Sequence, residues 1–301
     1  MIRSFVPRRR AALGSLLLLV ACNQGTSNPL VVTTVYPLYE FTRQVAGTSA
    51  KVVSLVPAGA EPHDWEPSPR DLTQIRDARL LVYNGASLDP WVTKLLEGPA
   101  IKGTASVRAT QGTTLETTPT GTEGRSVPDP HVWLDPVLAQ SMVETIRSAL
   151  AAADPQHATA YSENAARFHA KLEALHEAFR TGLAQCARRE VITSHAAFGY
   201  LARRYGLTVI SLMGVAPDSE PTPGQLAAVV RFARDKKVQY IFFETLVGPR
   251  LADTIAREIG ARTLPFNPIE GVARDEQSTG RDYMALMEEN LKNLRVALDC
   301  R

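Results

Sequence analysis

The sequence predicts an α/β protein of two lobes. Each lobe is a mostly parallel sheet flanked by helices, and one long rigid helix joins them. Two observations predict this. Short apolar, β-branched runs alternate with helix-patterned segments over residues 30–153 and again over 187–301. That rhythm belongs to parallel sheets covered on both faces. Between the two units, residues 154–186 carry Tyr161, Ala165, Phe168, Leu172, Leu175, Phe179 and Leu183 at alternating steps of four and three. This spacing lines one face of a 3.6-residue helix. Asp154 and Pro155 read as its N-cap and first helical position. At 1.5 Å per residue the helix would be about 45 Å long, a strut between the lobes.

The first lobe opens with an apolar strand over 30–35 and a helix over 39–46, closed by Gly47. A strand over 51–56 runs into 57–67, where prolines and a glycine exclude a regular element and leave a shaped loop. Ser68 and Asp71 start a helix to about 78, followed by a strand over 80–83 and a helix over 88–96. Residues 101–130 predict short strands at best, with a Thr/Gly/Pro loop over 117–128. Asp135 caps a helix that has Pro136 at its first position and runs to about 153.

The second lobe repeats the pattern. Strands are predicted over 190–193, 207–212, 240–243 and 262–265. Helices are predicted over 198–205, stopped by Gly206, over 226–236, over 249–259, stopped by Gly260, and over 282–298.

The chain has 301 residues and a formal net charge of +2. Arg3, Arg8, Arg9 and Arg10 lie in the first 21 residues, which contain no acid. An apolar run over 11–20 follows, too short to span a bilayer comfortably, then Ala21-Cys22. Residues 1–21 read as a secretion signal. Residues 19–22, Leu-Val-Ala-Cys, resemble a bacterial lipobox, which implies cleavage before Cys22 and lipid on its sulfur. The alternative is ordinary signal cleavage beside an incidental cysteine. Residues 22–29 are a polar tether. Without the four arginines the net charge becomes −2, which does not favour nucleic acid. Cys186 and Cys300 remain, and an exported chain can keep one disulfide between them.

Six histidines are present. His157, His169 and His176 fall on the long helix and read as surface or packing residues. His63 lies in the loop after a strand, His131 before a helix, and His195 at the carboxyl end of a strand. That edge of an open α/β sheet is where ligands bind. Neutral imidazoles suit Zn²⁺, and a carboxylate can complete a tetrahedron. Glu270 and Asn267, in the last loop, are candidates for the fourth place. Glu244, at a strand end, is a third candidate or a group that orients a histidine. Asp135 reads as a cap and Asp129 as a loop former. Catalysis fits less well. Three histidines and Glu270 would close the shell, and Ser194 and His195, adjacent on a strand, point opposite ways. The reading is therefore not an enzyme.

These residues carry a resemblance. The chain is similar to the bacterial ABC-transporter substrate-binding proteins that capture Zn²⁺ or Mn²⁺, and within them to the high-affinity zinc uptake branch. Residues 57–69 match the first signature, with His63. Residues 129–136, Asp-Pro-His-Val-Trp-Leu-Asp-Pro, match the second, with His131. Residues 194–200, Ser-His-Ala-Ala-Phe-Gly-Tyr, match the third, with His195. Glu220 to Pro223, Phe242 to Glu244, and the closing helix match further surroundings. The resemblance implies two lobes bridged by a long helix, with metal held in the cleft between them. It implies His63, His131, His195 and Glu270 as ligands of Zn²⁺. Histidine in the third place favours zinc, where manganese carriers have glutamate. The family's common aspartate is replaced by Asn267, and Glu270 matches the glutamate of some zinc members three residues later. Residues 117–128 hold one acid, Glu123, and no histidine, so an auxiliary metal-collecting loop is not expected.

The resemblance further implies a monomer that is extracytoplasmic and lipid-anchored to the bacterial membrane through Cys22. Its partners would be an ABC permease and that permease's ATPase subunit. The alternatives are a Mn²⁺ or Fe²⁺ carrier on the same scaffold, a metal-binding surface adhesin or zinc store, and a secreted zinc hydrolase.

Overall fold

The structure, a computed structural model, describes residues 1–2, 30–120, 125–217, 221–274 and 279–301. Cys22, Glu123, Glu220, the tether and nearly all of the leader lie outside the described residues. No helix among the described residues is long and apolar enough to cross a membrane.

The first half alternates strand and helix: β1 Leu30–Thr33, α1 Tyr36–Ala46, β2 Lys51–Ser54, α2 Pro69–Arg76, β3 Leu80–Tyr83, α3 Pro90–Glu97 and β4 Ala105–Arg108. The four strands form one parallel sheet in the order β2-β1-β3-β4. β1 is central and its Val31, Val32 and Thr33 are buried, as a strand covered on both faces requires. Ser68 caps α2 in a reciprocal capping box with Asp71.

Residues 117–128 differ from the predicted loop. β5 Thr117–Thr120 and β6 Arg125–Pro128 pair antiparallel as a hairpin. The segment's threonines suit a pleated surface, but it has no alternating apolar face to signal a strand.

α4 Pro136–Ala153 starts where Asp135 accepts hydrogen bonds from the Val137 and Leu138 amides. The long helix follows as α5 Ala158–Gly182, 25 residues and about 37 Å. It is shorter than expected at both ends. A single 3-10 turn, Pro155–His157, precedes it, and Asp154 caps no amide. The Asp154 carboxylate instead faces the His157 Nδ1 and the Tyr161 hydroxyl, each at 2.7 Å. The predicted apolar face is otherwise the observed one, since Tyr161, Ala165, Phe168, Leu172, Leu175, Phe179 and Leu183 are all buried.

The second half contains β7 Glu190–Thr193, α6 Gly199–Tyr205, β8 Thr208–Ser211, α7 Pro223–Asp235, β9 Tyr240–Phe243, α8 Arg250–Ile259, β10 Arg262–Pro265 and α9 Tyr283–Leu298. β7 pairs parallel with β8, β9 pairs parallel with β10, and β7 runs beside β9. Gly206 and Gly260 end α6 and α8 in the left-handed conformation, at φ 67° and 70°.

The buried face of α5 joins the halves into one apolar core. Phe41 of α1 lies 5.7 Å from Phe168 of α5 and 4.9 Å from Tyr283 of α9, ring centre to ring centre. Phe179 of α5 stacks on Tyr205 of α6 at 5.1 Å. Removing one such ring costs about 3–5 kcal/mol, so this seam sets the relative position of the halves. Cys186 and Cys300, on either side of the second half, are joined by a disulfide.

Candidate metal centre

Four side chains from four separate segments converge where the two halves meet. His63 comes from the loop after β2, His131 from the turn before α4, His195 from the turn after β7, and Glu270 from the loop after β10. His63, His195 and Glu270 thus sit beyond the carboxyl ends of parallel strands. Their ligand atoms all lie within 4.8 Å of one another.

The histidines present Nε2 to one carboxylate oxygen. Glu270 Oε1 is 2.5 Å from His131 Nε2, 3.0 Å from His195 Nε2 and 3.3 Å from His63 Nε2. The His131 and His195 Nε2 atoms are 3.3 Å apart. Ligands at 2.0–2.1 Å around a tetrahedral zinc are spaced by about 3.4 Å. The four groups therefore need to spread by only a few tenths of an ångström to about 1 Å to accept such an ion. His131 and His195 are fully buried, Glu270 is 1 % exposed, and the His63 side chain is 5 % exposed.

Carboxylates orient two of the rings. His131 Nδ1 lies 2.7 Å from Asp129 Oδ1, and His195 Nδ1 lies 2.7 Å from Glu244 Oε2. An Nδ1–H donated to a carboxylate turns Nε2, with its lone pair, toward the centre. The same two acids accept the backbone N–H of the histidine they hold, at 3.0 Å in each case. Glu61 accepts the backbone N–H of His63 at 3.3 Å.

The electrostatics follow from this crowding. Burial would raise the Glu270 carboxyl, but the facing histidines hold it well below the usual carboxylate range. Burial opposes charge on His195, yet Glu244 and Glu270 outweigh it and lift its pKa well above the ordinary value. His131 shifts the same way because Asp129 and Glu270 outweigh its burial. Glu61 is pushed up to about 7, first by burial and then by the charge of Glu270.

The loop that carries Glu270 is held against the first half. Trp133 Nε1–H donates to the Pro268 carbonyl at 2.8 Å, and Tyr283 donates its hydroxyl to the Trp133 carbonyl at 2.6 Å. The Gly59 amide donates to the Val272 carbonyl at 2.9 Å. Ile269 adopts φ +58°, a left-handed conformation costing a branched residue about 1–3 kcal/mol. That twist sits immediately before Glu270. A cleft of about 490 Å³ borders this loop, lined by Tyr36, Arg43, Pro57, Val272 and Asp282 among others.

Among the residues singled out from sequence, Asn267 is turned to another use. Its Oδ1 accepts from the Ile269 amide at 2.7 Å, and its Nδ2 donates to Thr245 Oγ1 at 3.2 Å. Asn267 thus shapes the loop, and Glu244 orients His195. Two acids are not legible as site residues from sequence: Asp129, which reads as a loop former, orients His131, and Glu61 holds the His63 amide. A signal for both exists in the sequence. Glu61-Pro62-His63 and Asp129-Pro130-His131 are the same acid-Pro-His tripeptide. In each, the acid folds back onto the histidine amide.

The arrangement can hold one divalent ion with three nitrogens and one oxygen, a donor set suited to zinc. The chain is similar to known proteins in sequence and fold. The zinc-binding lipoprotein AdcA of Streptococcus pneumoniae is 39 % identical over 297 residues, covering 94 % of this chain and 59 % of the relative. The chain thus spans about three fifths of that relative's length. The high-affinity zinc uptake system protein ZnuA of Bacillus subtilis is 39 % identical over 280 residues, covering 89 % of this chain and 87 % of the relative. The crystal structure of the Zn(II)-bound ZnuA-like domain of Streptococcus pneumoniae AdcA superimposes with a TM-score of 0.79 at 38 % identity, over 91 % of this chain and all of that one. The family model for the periplasmic zinc-uptake complex component A, ZnuA, matches residues 31–297, and the chain belongs to that family.

Proposed function

We propose that this chain is the extracytoplasmic substrate-binding component of a zinc ABC importer. It captures Zn²⁺ between its halves through His63, His131, His195 and Glu270. It then presents the loaded ion to a membrane permease whose ATPase subunit powers import. The observation that carries this reading is the convergence of three Nε2 atoms on one buried carboxylate oxygen, with two of the rings held by further carboxylates. Zinc is cargo here, not a resident cofactor. Four protein ligands fill a tetrahedral shell and leave no place for an attacking water, so the role is capture and delivery rather than turnover.

Nitrogen-rich coordination supports zinc over manganese, which prefers oxygen donors. Anchoring through Cys22 places the chain on the outer side of a bacterial membrane. The short route through water is then from the solvent to a site whose most accessible ligand is His63.

The test is direct competition. Residues 23 onward are expressed, stripped of metal and offered equal Zn²⁺ and Mn²⁺ at neutral pH, and bound metal is read by elemental analysis. One tightly held zinc per chain, weakened by Glu270→Ala, is the expected result. A preference for manganese would assign the same scaffold to the other ion. Absence of stoichiometric metal would remove the site.

A further inference from the structure

A second group of metal-ligating side chains lies on the outer face of the linking helix, away from the four ligands above. Glu173, His176 and Glu177 of α5 have ligand atoms that all lie within 4.8 Å of one another. Steps of three and four residues put them on one face of a single turn.

Each of the three is already oriented by a neighbour. His176 Nδ1 lies 3.1 Å from the Tyr205 hydroxyl of α6. With Nδ1–H donated to the phenol oxygen, Nε2 offers its lone pair outward, and it stands 4.0 Å from Glu177 Oε1. Gln140 of α4 donates to Glu173 Oε2 at 3.0 Å. Arg180 holds Glu177 through Nε and Nη2, at 3.0 and 2.6 Å, but both side chains are exposed, at 59 % and 46 %, so a cation at the site competes with this pair in water. Four residues before Glu173, the His169 Nε2 is buried without a hydrogen-bond partner. An additional imidazole nitrogen with unused capacity thus lies one turn away on the same helix.

We propose that Glu173, His176 and Glu177 form a second, solvent-accessible site for zinc, distinct from the cargo site. One imidazole and two carboxylates supply three ligands, and water completes the shell. The exposed carboxylates rotate inward by about 1 Å to reach tetrahedral spacing. The imidazole favours Zn²⁺ over Mg²⁺ and Ca²⁺, which take oxygen alone. This site is weaker than the cargo site because its carboxylates are solvated and must leave Gln140 and Arg180. Loading it keeps α5 tied to α6 through the His176–Tyr205 contact.

The test uses the whole mature chain, residues 23 onward, loaded with one equivalent of zinc. It is dialysed to equilibrium against rising Zn²⁺, with bound metal read by elemental analysis and the histidine ring nitrogens followed by ¹⁵N NMR. The expected result is a second zinc equivalent that moves the His176 Nε2 resonance. That equivalent is lost in His176→Gln and in Glu173→Gln, while His157→Gln retains it. No second equivalent in the wild type, or a second equivalent that survives His176→Gln, overturns the proposal. Because the comparison is between wild type and variants at this face, it is read whether or not the cargo site holds zinc.

Discussion

Glu244 accepts two hydrogen bonds from His195, one from its backbone N–H at 3.0 Å and one from Nδ1–H at 2.7 Å, across 49 residues of sequence. One carboxylate thereby sets both the position and the ring tautomer of a buried imidazole. Removal of such an orienting group typically lowers metal affinity by about 10–100-fold. Glu244→Ala is expected to weaken the tightly held zinc by that order while leaving the total zinc bound at saturation unchanged. Competition against a chelator of known affinity checks it, and an unchanged affinity would sink the orienting role.

Zinc must displace protons. His131 and His195 have pKa values raised by Asp129, Glu244 and Glu270 despite their burial. Both tend to be protonated at pH values where an ordinary histidine is neutral. Affinity is therefore expected to fall steadily on acidification, starting above the ordinary histidine value of about 6.5. Calorimetry in buffers of different ionisation enthalpy should record at least about one proton released per zinc bound. Proton-independent binding would contradict the site.

The metal-free chain should respond to pH in the opposite sense. A histidine with a raised folded pKa contributes stability fully present below its unfolded value and lost as pH rises through the folded one. Glu270, held low, contributes stability present above its unfolded value of 4.5 and lost as pH falls through its depressed value. The melting temperature of the stripped chain is expected to fall as pH is raised above about 6.5, as His131 and His195 lose their protons. The zinc-loaded chain should not show this fall. Coincident profiles for the two forms would refute the charge assignment.

Asn267 tests which residue of the last loop reaches the ion. Asn267→Ala removes the bonds to the Ile269 amide and to Thr245. The expected cost is about 1–3 kcal/mol in chemical denaturation, because the buried Ile269 N–H loses its acceptor. Stoichiometric zinc should persist. Glu270→Ala should do the reverse, weakening zinc strongly. A loss of metal stoichiometry in the Asn267 variant would exchange their roles.

The Cys186–Cys300 bond closes a sequence separation of 114 residues. Replacing both cysteines by serine is expected to lower stability by about 2–4 kcal/mol through greater freedom of the unfolded chain. Zinc stoichiometry should be unchanged, since neither cysteine is among the clustered side chains. Thermal unfolding with and without reductant checks the first part, and equal melting temperatures would contradict it.

The sequence by itself determined the layout: two strand-and-helix units around a long helix, the seven residues of that helix's buried face, and the stops at Gly206 and Gly260. These are local properties, periodicity and backbone preference, and they need no partner to be read. It also singled out His63, His131 and His195 from their places in a loop after a strand, before a helix and at a strand end, and Glu270 over Asn267 and Glu244 only through the resemblance. Tertiary structure alone decided the rest. Spacings of 68, 64 and 75 residues say nothing about distance, and only packing along α5 brings four Nε2 and Oε1 atoms together. Asp154 looks like an N-cap locally, yet His157 and Tyr161 claim its carboxylate. Asp129 looks like a loop former, yet it buries against His131. Asn267 and Glu270 lie three residues apart, and the left-handed turn at Ile269 between them accompanies one side chain bonded within the loop and the other aimed at the histidines. A polar side chain's role is fixed by which partner it meets on burial, and that partner is usually distant in sequence.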